Sequence, residues 1–203
     1  MKSVVKGLSF LAILFGATLA LAGTIKEYSA DTVDVKTGKV RNREYVTPTK
    51  MRIDSYDEDG KLETIDIIRI DHKKRYFFYV DNKTYFEFPL KGEIIPERNS
   101  PEWKEFEKTI MGEFAPQTIE EKISAETVNG YKTEKFRVTT RMGELPASVS
   151  YEWYAKEFDT PVRTQSGEDE GDDIQELRNI KVGAPAASLF ELPSGYKLTS
   201  VAR

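Results

Sequence analysis

The sequence contains no cysteine, and its only histidine is His72. Without cysteine, no disulfide can staple the fold in an oxidising compartment, and no thiolate is available as nucleophile or metal ligand. The residues Leu21-Ala22-Gly23 begin like a bacterial lipoprotein box, but Thr24 stands where lipid attachment needs a cysteine. A Ser-His-Asp centre needs a histidine held firmly against a serine. His72 instead lies in Asp71-His72-Lys73-Lys74-Arg75, a run of charges that reads as an exposed turn. No glycine-rich phosphate loop occurs. Cations are in slight deficit, with a net charge of −4 at pH 7, which argues against nucleic acid as a partner. Nor is there an apolar run long enough for a bilayer. The longest, Leu8 to Leu21, covers about 14 residues against the ~20 a spanning helix requires.

That run has another use. Lys2 and Lys6 precede it, and Ala20-Leu21-Ala22 follows as a small-x-small cleavage pattern. Together they predict a secretory signal peptide over residues 1–22 and a mature chain starting at Gly23. The mature chain, 23–203, is expected to be one soluble periplasmic domain without lipid. Loss of the two leader lysines takes the net charge from −4 to −6.

The mature chain reads mainly as strands. Tyr28, Ala30 and Thr32 alternate with other residues at the period of a half-buried strand. Similar runs follow at about 39–47, 50–56, 61–71, 74–80 and 83–88. Turn chemistry separates them at Thr37-Gly38, Asp57-Glu58-Asp59-Gly60, Asp71 to Lys74 and Asp81-Asn82. Short strands at such spacing predict an antiparallel meander. Asn129-Gly130, the strongest hairpin signal in the chain, joins a strand near 116–128 to Tyr131–Thr140. Further strands are expected at 147–156, from Pro161 to Ser166, and at 174–182. A short helical turn over Ala186–Phe190 is closed by Pro193 and Gly195.

One amphipathic helix is predicted over 101–111. Ser100 can cap it, Pro101 suits its first turn, and Glu102 and Glu105 favour its positive end. Trp103, Phe106, Ile110 and Met111 then share a face, and Gly112 ends it. Such a helix must lay its apolar face on a sheet. The expected fold class is therefore mainly β with few helices (α+β).

Acidic clusters offer little chemistry. Glu168-Asp169-Glu170-Gly171-Asp172-Asp173 is dense in carboxylates but lacks the spacing of a calcium loop, so it reads as a solvated hairpin tip. Asp57-Glu58-Asp59-Gly60 reads the same way. No pair of carboxylates stands out for sugar hydrolysis. No catalytic residue, metal site or cofactor is expected.

The aromatic content is more telling. Tyr76-Phe77-Phe78-Tyr79 and Tyr85-Phe86-Glu87-Phe88 make both faces of their strands apolar. Ordinary two-sided core accounts for this. So does a curved sheet whose concave face exceeds what one helix can fill, leaving an apolar cavity. On the second reading the lining residues are Met51, Ile53, Ile65, Ile67, Tyr76, Phe78, Phe88, Trp103, Phe106, Ile110, Met111, Phe136, Val138 and Trp153. A ligand head group is expected near the rim, at Lys50, Arg52 or Arg69.

Several stretches resemble a known family. Glu126-Thr127-Val128-Asn129-Gly130-Tyr131 with Lys135-Phe136-Arg137-Val138 resembles a hairpin of periplasmic proteins of unassigned function. Tyr151-Glu152-Trp153-Tyr154 and Thr160-Pro161-Val162-Arg163 are similar to that family's next hairpin. Ser188-Leu189-Phe190-Glu191-Leu192-Pro193-Ser194-Gly195-Tyr196-Lys197 is similar to its C-terminal signature. That family in turn resembles the outer-membrane lipoprotein-sorting proteins LolA and LolB, over roughly residues 28–198. The resemblance implies an unclosed antiparallel β half-barrel covered by one or two short helices. It also implies non-enzymatic binding or carriage of a hydrophobic ligand: an acyl chain, a lipid or a lipoprotein. An alternative implication is a periplasmic sensor or interaction domain with an outer-membrane or periplasmic protein partner.

Overall fold

A computed structural model describes residues 27–90, 105, 117–141, 145–167 and 173–199. They form one 12-stranded open sheet. The first half is β1 (Tyr28–Asp34), β2 (Val40–Thr47), β3 (Lys50–Tyr56), β4 (Leu62–Arg69), β5 (Lys74–Tyr79) and β6 (Thr84–Pro89). The second is β7 (Gln117–Val128), β8 (Tyr131–Arg141), β9 (Ser148–Ala155), β10 (Thr160–Ser166) and β11 (Ile174–Val182), followed by the short β12 (Lys197–Leu198). The spatial order is β12-β6-β5-β4-β3-β2-β1-β11-β10-β9-β8-β7. Two antiparallel meanders are thus fused where β1 pairs with β11, and the sheet does not close on itself.

Local chemistry explains the turns. At the β7–β8 hairpin both Asn129 (φ 50°) and Gly130 (φ 84°) have positive φ, as a two-residue turn matched to strand twist requires. The strand expected over 61–71 ends earlier, at Arg69. A 3-10 turn over Ile70–His72 takes over, and Lys73 in the left-handed region reverses the chain. The sheet is not wholly antiparallel: β12 pairs with β6 in parallel, Lys197 opposite Thr84.

Helix is scarcer than expected. The helical elements among the described residues are the 3-10 turns Ile70–His72 and Ala187–Phe190 and the single residue Glu105, which is helical and exposed. The rest of the segment 101–111, with Trp103, Phe106, Ile110 and Met111, lies outside the described residues. So do the signal sequence expected over 1–22 and most of the acidic tip, at 168–172.

Cross-strand register sorts the side chains, because residues directly opposite share a face. One row runs Ala30, Glu44, Ile53, Asp66, Phe77, Phe86 from β1 to β6. The neighbouring row on that face runs Tyr28, Val46, Met51, Ile68, Arg75, Phe88. Ile65, Ile67, Tyr76, Phe78 and Tyr85 point the other way. They form a second core with Tyr196, which meets Phe78 edge-on at 5.1 Å.

The C-terminal segment seals that second core. Arg52 Nη1 donates to the Leu189 carbonyl at 2.9 Å, and Arg69 Nη1 donates to the Phe190 carbonyl at 3.1 Å. The Lys197 and Thr199 amides then bond to the Lys83 and Tyr85 carbonyls. Phe190, Ile67 and Phe78 are fully buried as a result, each contributing about 1.5–3 kcal/mol of transfer free energy.

Candidate functional site

The other face is concave. Ile53 on β3 and Glu152 on β9 have four strands between them, so a flat sheet would hold them about 24 Å apart at ~4.8 Å per strand. Both border one cavity of about 90 Å³. Thr32, Thr160, Thr164, Gln175 and Leu177 complete much of its wall. A register shift in β10 between Pro161 and Arg163 bends the sheet there, as bulges do.

The floor carries an unusual acid. Glu44 is 7% exposed and lies on the concave face between Ala30 and Ile53. The Tyr28 hydroxyl donates to its Oε1 at 3.3 Å, and Tyr28 is also hydrogen-bonded to Thr160. Burial pushes the Glu44 carboxyl up to about 7, with the Tyr28 hydrogen bond pulling weakly the other way. Burial and the nearby Glu44 together push the Tyr28 phenol well above its ordinary value.

Five of the other buried acids have arginines. Asp31 takes Arg43 at 2.6 Å, Asp34 takes Arg41 at 2.9 Å, and Asp54 takes Arg52 at 2.7 Å. Asp66 takes Arg75 at 2.8 Å, and Glu176 takes Arg163 at 2.6 Å. Burial opposes the charge on Glu176, but hydrogen bonds from Arg163, Asn129 and Arg178 overcome it and hold the carboxyl below its ordinary value. Among the described residues, Glu44 has no such cation. Gln175 presents a second unmet demand: its Oε1 is buried and has no hydrogen-bond partner.

Away from the cavity, the concave face becomes aromatic. Phe86 stacks on Phe88 with centroids 6.4 Å apart, while Tyr79 meets Phe77 at 5.2 Å and Phe86 at 6.0 Å. Arg75 lies over Phe77 and Phe88 at 5.8 and 5.9 Å while it pairs with Asp66. Phe77, Phe86 and Phe88 are half-buried and Tyr79 is exposed, so the lip offers apolar surface.

The residues expected to line one cavity divide between the two faces. Met51, Ile53 and Phe88 share the concave face, and Ile53 borders the cavity itself; Phe136 and Val138 stand opposite Glu152 and Ser150 of the cavity wall. Ile65, Ile67, Tyr76 and Phe78 belong to the sealed second core. Trp153 belongs to the buried cluster that also holds Met51 and Ile53, and it stands opposite Lys135 and Arg163, with Lys135 Nζ 4.5 Å and the Arg163 guanidinium 5.4 Å from its ring. Lys50, Arg52 and Arg69, expected at a rim, lie on the convex face. Asp71 engages Lys50 and Arg69, and Asp54 engages Arg52. Among the described residues, no cluster of three His, Asp or Glu side chains is placed to hold a metal.

Sequence reasoning missed Glu44 and Gln175. The signal was parity: Asn42, Glu44 and Val46 share one side of β2, and Val46 is too apolar to face water.

The fold has a solved counterpart. An uncharacterized conserved protein from Thermus thermophilus is similar over 86% of this chain and 90% of that one, with a TM-score of 0.52 and 10% identity. MucB, solved in complex with MucA(peri), aligns over 87% of this chain at 9% identity, with a TM-score of 0.37. The aligned part is 58% of the MucB chain, and the likeness is too slight to carry an argument. No protein-family model matches the chain, and no curated protein does.

Proposed function

We propose that this chain is a non-enzymatic, periplasmic binding or carrier protein that holds the apolar part of a ligand on its concave sheet face. The supporting observation is the half-exposed aromatic lip Phe77, Tyr79, Phe86 and Phe88, continuous by register with the cavity floor at Ile53 and Glu44. Exposed aromatic surface on a concave face is costly to leave wet and favourable to cover. The signal-like residues 1–22 and the resemblance to lipoprotein-sorting proteins support the export route and the acyl-type ligand.

One observation favours the interaction-domain reading. The cavity, about 90 Å³, is well below the roughly 300–1,000 Å³ of sites that engulf a drug-sized molecule. An acyl chain would therefore lie along the face instead of inside it, and so could a partner protein's apolar residues. Native mass spectrometry of protein recovered from a periplasmic fraction separates the two. Co-purified lipid at one per chain is the expected result. A lipid-free chain that is recovered only in complex with a protein would replace the carrier reading.

A further inference from the structure

We propose that the concave-face cavity is a binding site for an ammonium group, with the Glu44 carboxylate as its counter-charge. The proposal deepens the reading above, since it supplies the polar end of a ligand whose apolar part would cover the aromatic lip.

Three observations converge on it. The first is the contrast among buried acids: Asp31, Asp34, Asp54, Asp66 and Glu176 each hold an arginine within 2.9 Å. Glu44 is as buried and, among the described residues, holds only a neutral phenol. A buried carboxylate needs a cation or it gives up its charge, and Glu44 borders a cavity through which a cation can reach it. The second is the inventory of the wall. Its arginine, Arg163, is committed to Glu176 at 2.6 Å and so does not serve Glu44. The third is Gln175, whose buried Oε1 accepts no hydrogen bond. Acceptors without donors select a ligand that donates or carries positive charge.

Size is consistent with this. A cavity near 90 Å³ suits a small polyatomic cation better than a whole lipid. The ammonium could belong to a free amine or to an amphiphile's head group, and both present the same chemistry to Glu44.

The groups around Glu44 set the pH behaviour. Tyr28 on β1 faces it, with Asp159 beyond Tyr28. Ile53 faces it from β3, and past Ile53 Asp66 is tied to Arg75. Across the cavity stand Glu152 on β9 and the Arg163–Glu176 pair on β10 and β11. Within this set, burial raises the Glu44 carboxyl to about 7. Cation binding should therefore tighten as pH rises, by about 30-fold between about pH 5.5 and pH 8 for a single group of that kind.

Calorimetric titration of the full mature chain tests this with three probes at fixed ionic strength: choline, decyltrimethylammonium below its micellar concentration, and decanoate. The expected result is saturable choline binding that tightens with pH and falls at least about tenfold in Glu44→Gln. Glu44→Gln keeps the shape and the hydrogen bond to Tyr28, and circular dichroism checks that it folds; Glu44→Asp should retain part of the binding. Decyltrimethylammonium binding tighter than choline assigns a lipid-like ligand, and equal affinities assign a free amine. No saturable binding of either cation, or binding unchanged in Glu44→Gln, overturns the proposal. Decanoate reads the carrier proposal separately: if it binds and the cations do not, the apolar face stands and the ammonium site falls.

Discussion

At the scale of single residues, Glu44 is the side chain whose environment departs most from its sequence. Charged residues on strands usually face water, and nothing in Arg43-Glu44-Tyr45 marks the middle one as buried. The pairing of Glu44 with Ala30 and Ile53 fixes it inside. Its titration then bears on stability. The carboxyl is raised from 4.5 to about 7 on folding, so the folded state holds its proton more tightly than the unfolded state. The associated stability is fully present below pH 4.5 and is lost as pH rises through about 7. Its size is about 3 kcal/mol at ~1.4 kcal/mol per unit. Glu44→Gln should remove this term: the variant should match the parent in acid and exceed it in urea resistance at alkaline pH. Parallel stability curves for the two proteins would show that Glu44 titrates normally.

At the scale of elements, the C-terminal segment acts as a clamp. Arg52 and Arg69 reach from β3 and β4 to the carbonyls that end the 3-10 turn, and Phe190 fills the space beneath. Phe190→Ala should cost about 3–5 kcal/mol in denaturant unfolding. A cost under about 1 kcal/mol would mean the segment is peripheral. The sequence shows the turn, through Pro193 and Gly195, but not the strand after it. Lys197-Leu198 is too short to display a period, and its pairing with β6 depends on where the clamp delivers it. The β7–β8 hairpin is the opposite case, because Asn129-Gly130 dictates its geometry locally.

At the scale of the whole molecule, alternation fails where both faces of the sheet are apolar. Ile65 to Ile68 and Tyr76 to Tyr79 are nearly continuous apolar runs, so period-2 reasoning cannot assign their faces. Register does: Ile68 and Phe77 go to the concave face, Ile65, Ile67, Tyr76 and Phe78 to the clamped core. The concave side itself is decided by the β1–β11 pairing between the chain's first and penultimate strands, a contact no local window contains. The meanders, the hairpin and most strand limits were therefore legible. The division of the expected ligand-facing set into two faces was not.

The central claim is that the concave face, and not the clamped convex one, receives the apolar part of a ligand. Calorimetric titration with lauric acid, run on Phe86→Ser and on Leu198→Ser, tests it most directly. Phe86 belongs to the concave lip and Leu198 is exposed on β12 at the clamped edge. The account predicts about tenfold weaker binding for Phe86→Ser, near ~1.4 kcal/mol, and parental affinity for Leu198→Ser. Parental affinity in Phe86→Ser with weakened binding in Leu198→Ser would contradict it.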